Sequence, residues 1–211
     1  MTSKQKIARG IAHVRKTVPA LAPYVDNCQR FNLLPQPHEG SRYFESLALS
    51  VVGQQISATA AATISQRIQK SMRGSITPRK VLGRSTEELR SLGLSAAKVK
   101  TLQDLSHSIL DKRITLENFQ DLDDELVIAQ LTQVWGIGRW TAEMFLMFTL
   151  GRLDVWPVGD YAVRKGWAIA HGLNETPVER DFLLVAAEAA PYRSIAAWYC
   201  WRVLEPIEKW S

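Results

Sequence analysis

An acid and a tight glycine turn, separated by one apolar helical stretch, are the residues of this 211-residue chain best placed to do chemistry. They lie in Leu131 to Asp160, LTQVWGIGRWTAEMFLMFTLGRLDVWPVGD. Asp160 precedes the helical pattern YAVRKGWAIAHG and so reads as its N-cap. Capping alone accounts for an aspartate in that position. The positive end of a helix also holds such a carboxylate ionised, and an ionised carboxylate facing a cleft stabilises positive charge that develops during a reaction.

At the other end, Gly136-Ile137-Gly138 sits between two periodic runs. Leu126, Ile128, Leu131 and Val134 come before it, and Trp140, Met144, Phe145, Met147 and Phe148 follow. This reads as a helix-hairpin-helix, with glycine supplying the sharp turn at low steric cost. The helix opening after the turn leaves its first backbone N–H groups without partners, and such amides suit a phosphate. The amides from Gly136 to Thr141, with Arg139 adding charge, would position a nucleic acid without reading its bases. The same turn also serves as a plain corner in an all-α core.

The rest of the chain supplies helices around this segment. The start, MTSKQKIARGIAHVRK, is an amphipathic helix whose apolar face is Ile7, Ile11 and Val14. It is set to pack in a core, with a transit peptide as the rival reading. Pro19 divides the first region, through about Phe31, into two helices, and Pro35 and Pro37 mark Asn32 to Gly40 as a loop. Ser41 is expected to cap a helix containing Tyr43, Phe44, Leu47, Leu49, Val51 and Val52, which runs into Gly53-Gln54-Gln55-Ile56-Ser57. Ser57 caps the alanine-rich helix that follows.

Ser85-Thr86-Glu87-Glu88 is a capping box, and Gly93-Leu94-Ser95 is a second glycine turn, with Lys98 and Lys100 in the first turns of a long helix. Those lysines fit a solvated charged face. Thr115 to Gln120 is a connector, and Asp123-Asp124-Glu125 begins the helix leading to the hairpin. The helix after the hairpin is expected to stop at Gly151. Thr176-Pro177-Val178-Glu179 reads as a further helix start with proline at the first position, its helix running to Ala190 and ended by Pro191. The last helix holds Trp198, Trp201 and Trp210. The fold class expected is all-α, with roughly ten helices.

LTQVWGIGRWTA followed by LGRLDVWPVGDYAVRKG resembles the helix-hairpin-helix/Gly-Pro-Asp superfamily of DNA base-excision glycosylases, and within it the AlkA-type alkylpurine (3-methyladenine) glycosylases. The resemblance implies a single domain over residues 1–211 with two lobes, and a DNA-binding cleft between them holding the hairpin and Asp160. The chain looks like a compact form, too short to hold the β-rich N-terminal domain of AlkA-type proteins. Asp160 stands at the position of the family's catalytic aspartate. Trp140 stands where bifunctional lyases place a Schiff-base lysine, so a monofunctional glycosylase is implied.

By the same resemblance, Gln55 is the wedge that enters the duplex where the damaged nucleotide has swung out, and Gln54 is its neighbour. A glutamine pair capping a helix joint is the other account of these residues. Ser95 and Lys98 match a phosphate-facing GLS-x-x-K segment. Trp140 and Trp201 match base-pocket positions, Met144 replaces a pocket tyrosine, and Trp156 and Tyr161 flank Asp160. Each ring has packing as its competing role. The family hairpin also holds a monovalent cation on carbonyls, here those around Gln133, Trp135 and Gly138.

The implied substrate is double-stranded DNA carrying an alkylated base. Alkylation at purine N3 or N7 makes the base cationic, which suits an aromatic pocket, and already a good leaving group. The barrier then lies in the sugar, where Asp160 would stabilise oxocarbenium-like charge and orient or deprotonate the attacking water. A non-catalytic DNA-binding module and a glycosylase for hypoxanthine or ethenoadenine are the alternatives.

Composition agrees with an anionic partner: the net charge is +5 and the isoelectric point about 9.3. Two cysteines, Cys28 and Cys200, exclude a four-cysteine iron–sulfur cluster and a disulfide framework, and read as packing residues. His13, His38, His107 and His171 are scattered and read as surface or capping residues, so no metal site with side-chain ligands is expected. No apolar run is long enough to span a bilayer. The expectation is a monomer that requires no cofactor, in the cytoplasm (bacterial nucleoid), or in the nucleus of a eukaryote.

Overall fold

Side-chain caps decide where many of the helices begin. Thr2, Ser57, Thr77, Ser85, Ser95 and Asp160 each accept the backbone N–H three residues on, satisfying a donor the helix cannot pair itself. At Thr2 and Ser85 the partner Gln5 or Glu88 reaches back to complete a capping box. The computed structural model describes residues 2–28 and 42–205. The expected loop over residues 32–40, the Ser41 cap, His38 and Trp210 lie outside them.

Among the described residues there are twelve α-helices and no strand. They are α1 (Ser3–Thr17), α2 (Ala22–Asn27), α3 (Tyr43–Gly53), α4 (Ala58–Ser71), α5 (Pro78–Leu82) and α6 (Thr86–Ser91), then α7 (Ala96–Leu110), α8 (Asp124–Leu131), α9 (Arg139–Phe148), α10 (Tyr161–Ala170), α11 (Glu179–Leu184) and α12 (Arg193–Val203). Short 3₁₀ turns lie at Pro19–Leu21, Leu116–Gln120 and Val185–Ala189.

The all-α expectation holds, with local corrections. α9 ends at Phe148 rather than Gly151, closed by the Arg152 N–H on the Leu146 carbonyl at 2.9 Å. Pro177 is not the first residue of its helix. Val178 is the N-cap, and the Pro177 carbonyl is taken by the Arg164 guanidinium at 2.9 Å. That helix also does not reach Ala190, because it tightens into the 3₁₀ turn after Leu184.

The chain gathers into two compact units. One draws on Met1–Gln36 and Leu146–Ser211, and the other is Pro37–Phe145. In the first unit α10 packs on α12, with Gly166 pressed against the Cys200 backbone. A Cβ there would overlap the Cys200 carbonyl. Trp156, Trp167 and Phe182 form an aromatic cluster in the same unit, with Trp156 stacked on Phe182 at 4.6 Å and edge-on to Trp167 at 5.6 Å.

In the second unit, Tyr43, Phe119 and Phe145 meet edge-to-face at 5.8 and 6.0 Å, and α7 packs against α3, α5 and α6. The C-terminal carbonyls of α4 are covered by cations. Lys80 donates to Met72 and Ser75, and Arg84 to Ser71. That arrangement satisfies the negative end of the helix and spends two of the basic residues of the segment.

Candidate functional site

Unit 2 carries the hairpin. α8 leads into the turn, Gly136 takes φ +82°, and α9 starts at Arg139. Three neighbours fix the turn. Gly136 lies so close to α7 that an added Cβ would collide with the Thr101 hydroxyl. Asp104 on α7 accepts the Trp135 N–H at 2.7 Å. From the joint between α3 and α4, the Gln54 side-chain amide donates to the Gly136 carbonyl at 3.3 Å and to the Thr141 hydroxyl at 3.1 Å.

These contacts correct several expectations. Gln54 is not free to act in a wedge, because its amide ties the α3–α4 joint to the hairpin. Thr141 is buried and its hydroxyl accepts from Gln54, so its side chain is a support for the turn. Arg139 supplies no uncompensated charge: its guanidinium forks onto Glu125 and also reaches Glu143 at 3.0 Å. The hydrogen bond to Glu125 is the largest cause raising the Arg139 pKa, and the same bond lowers that of Glu125.

Ser95 caps α7 as expected, its hydroxyl accepting the Lys98 N–H at 3.3 Å. The Lys98 ammonium, however, donates to the Val52 carbonyl at the end of α3, at 2.8 Å, and burial lowers its pKa. It caps a helix.

Gln55 fits the wedge expectation better than Gln54 does. It is exposed and holds φ +56°, a left-handed conformation that a side chain adopts only when the flanking turn imposes it. Gln54→Ala is expected to lower stability by about 1–2 kcal/mol, since two neutral hydrogen bonds are lost and the buried Thr141 hydroxyl loses a partner. Chemical denaturation measures that cost.

Among the described residues no group of side chains could hold a metal ion. Of the expected carbonyl trio, that of Gly138 accepts the Ala142 N–H at 3.1 Å and so begins the ladder of α9, with its second lone pair left over.

Unit 1 carries the acid. Asp160 caps α10 by accepting the Val163 N–H at 3.0 Å. The residue is only 8% exposed, between the exposed neighbours Gly159 and Tyr161. It is far more enclosed than an open cleft position suggests. Cys200 lies within reach of its charge: burial first, and Asp160 second, push the thiol up, which keeps it a neutral packing group.

The expected pocket aromatics divide. Trp156 is a core residue, buried with its indole N–H donating to the Phe182 carbonyl at 3.0 Å. Met144 is buried as well. Trp140, Tyr161 and Trp201 all keep accessible surface, Trp140 at 42% and Tyr161 at 60%. Trp201 is stacked with Phe148 at 5.8 Å, and Phe148 is 41% exposed. Phe148 escaped the sequence reading because its place in the apolar periodicity of α9 looked like core. With the helix expected to run on to Gly151, nothing in the sequence marked Phe148 as its last residue, where a ring can leave the core.

Residues 48–187 match the HhH-GPD superfamily base excision DNA repair proteins. DNA-3-methyladenine glycosylase 1 of Schizosaccharomyces pombe is 36% identical over 162 residues, covering 75% of this chain and 71% of that protein. The structure of the fission-yeast 3-methyladenine DNA glycosylase Mag1 in complex with abasic DNA is similar at a TM-score of 0.79 and 32% identity, over 92% of this chain and 95% of that one. A DNA-3-methyladenine glycosidase from Bacillus halodurans gives a TM-score of 0.77 at 31% identity, over 93% and 91% of the two chains. The matched residues take in the α3–α4 joint, the hairpin and Asp160 together, and the chain belongs to the HhH-GPD superfamily of base-excision DNA repair proteins.

Proposed function

We propose that the protein is a monofunctional DNA glycosylase that hydrolyses the N-glycosidic bond of alkylated purines, 3-methyladenine and 7-methylguanine foremost, and leaves an abasic site. Base-excision repair of alkylated bases is the activity its family and its similar proteins support. One observation carries the reading: a single family match spans both the hairpin turn and the aspartate capping α10. The two units act as one glycosylase domain on one duplex.

The hairpin amides grip the backbone and Gln55 fills the gap left by the extruded nucleotide, a step that costs a few kcal/mol and least where damage has weakened pairing. In unit 1, Tyr161 and the stacked Phe148 and Trp201 offer aromatic faces to a cationic base, worth about 0.5–2 kcal/mol. The glycosidic bond breaks with its electron pair leaving on the base, water adds to the sugar carbon, and the water proton passes to the carboxylate or to solvent. Asp160 stabilises the cationic sugar. Trp140 at the start of α9 offers no amine for a Schiff base, so the strand is left uncut.

No helix of the described residues is long and apolar enough to cross a membrane. The proposed setting is a DNA-containing compartment, the cytoplasm of a bacterium or the nucleus of a eukaryote, with the protein a monomer that needs no cofactor. Chromatography of bases freed from methylated duplex DNA tests the function. 3-Methyladenine and 7-methylguanine should appear with wild-type protein, and borohydride should trap no protein on DNA. Tight, salt-sensitive binding with no base released would instead make it a DNA-binding module.

A further inference from the structure

Of the cations that the motif offers to a phosphate at the hairpin, Arg139 has its charge answered inside unit 2 by Glu125 and Glu143, and Lys98 is drawn aside to the Val52 carbonyl at the end of α3. Lys100, two residues further along α7, is held differently. It is exposed, and its Nζ stands 4.2 Å from the ring centroid of Trp135. Trp135 directly precedes the Gly136 turn, is 46% exposed, and has its backbone N–H fixed on Asp104. The charge of Asp104 is itself answered by Arg113 at 3.5 Å.

A carboxylate partner cancels the charge of a lysine, whereas an aromatic face attracts the ammonium and leaves that charge uncancelled for a third group. The ring also restrains a four-carbon stem that would otherwise lose its rotamer freedom on binding. We infer that Lys100 is the cation with which the hairpin neutralises a DNA phosphate, and that Trp135 is the positioning residue that holds it there. The assignment rests on the proposed reading of the hairpin as a DNA contact.

The test is the salt dependence of affinity for a duplex carrying an abasic-site analogue, measured for wild type, Lys100→Gln, Arg139→Gln, Trp135→Leu and Trp135→Phe. Releasing one fewer counterion lowers the slope of log K against log salt by about 0.9, so Lys100→Gln should show that change and bind about tenfold more weakly at 50 mM salt. Arg139→Gln should keep the wild-type slope. Trp135→Leu should keep the slope yet bind several-fold more weakly, because the charge remains but is no longer held, and Trp135→Phe should recover most of that loss.

A wild-type slope in Lys100→Gln would overturn the assignment, and a lowered slope in Arg139→Gln alone would move it to that residue. If wild type binds with no salt dependence, the reading of the hairpin fails and this assignment falls with it.

Discussion

Asp160→Asn should lose base release by at least about 10²–10³-fold, the size seen when one electrostatic stabiliser of a transition state is removed, while still binding a duplex with an abasic-site analogue. The two results separate because the side chain has two roles. As a cap, Asp160 accepts the Val163 N–H, and an asparagine oxygen accepts it equally well. As a charge, in the proposed mechanism, the carboxylate would stabilise the sugar as it turns cationic, and an amide could not replace it.

Asp160→Ala distinguishes these roles further, since it removes the cap too and should cost about 1 kcal/mol of stability in addition to activity. Thermal unfolding of both variants beside single-turnover release of 3-methyladenine reads the two effects apart. Undiminished release by Asp160→Asn would leave the acid a helix cap and nothing more. The low exposure of Asp160 sharpens the test, because an acid in a residue only 8% exposed acts on a group delivered closely against it.

The parts of the molecule written in local chemistry were legible in the sequence. Ser57, Ser85, Ser95 and Asp160 all cap the helices their neighbours predicted, since a cap needs only the residues within one turn of it. A Thr-Pro pair shows the limit of that reasoning. At Thr77-Pro78 it does open a helix, α5, which the periodicity is too short to announce. At Thr176-Pro177 it does not, because Arg164, thirteen residues upstream of Pro177, takes its carbonyl.

The site shows the same division. The turn at Gly136 and the acid at its interval from it were readable, but the partners of Arg139, Lys98, Thr141 and Gln54 come from other helices. Helix-terminus position and the family resemblance marked those four as DNA contacts; in the fold Gln54 ties the α3–α4 joint to the Gly136 carbonyl and Thr141, Arg139 pairs with Glu125, and Lys98 closes the end of α3. Trp156 changed roles for a related reason. Flanking the acid in sequence suggested a pocket wall, while its indole N–H found a backbone acceptor in the core.

Gly136→Ala should be the most damaging small substitution in unit 2, costing about 2–4 kcal/mol and most of the affinity for DNA. Two separate penalties add. A side chain at φ +82° costs about 1–2 kcal/mol in the left-handed region, and the new Cβ also meets the Thr101 hydroxyl on α7. The hairpin cannot easily move away, because the Trp135 N–H is held by Asp104 and the Gly136 carbonyl by Gln54.

Removing the obstacle separates the two terms. Thr101→Ala deletes the hydroxyl and the methyl, leaving the Thr101 Cβ 3.2 Å from the added atom, and by itself should cost about 1 kcal/mol for a small buried cavity, its hydroxyl being bonded only to the Ala97 carbonyl of its own helix. The double variant should therefore be more stable than the sum of the singles by about 1 kcal/mol or more, yet remain below wild type by the backbone term. Denaturant midpoints of the four proteins close this cycle. Strict additivity would show that the contact between Gly136 and Thr101 does not limit the turn, and full recovery in the double variant would show that the left-handed backbone costs nothing there.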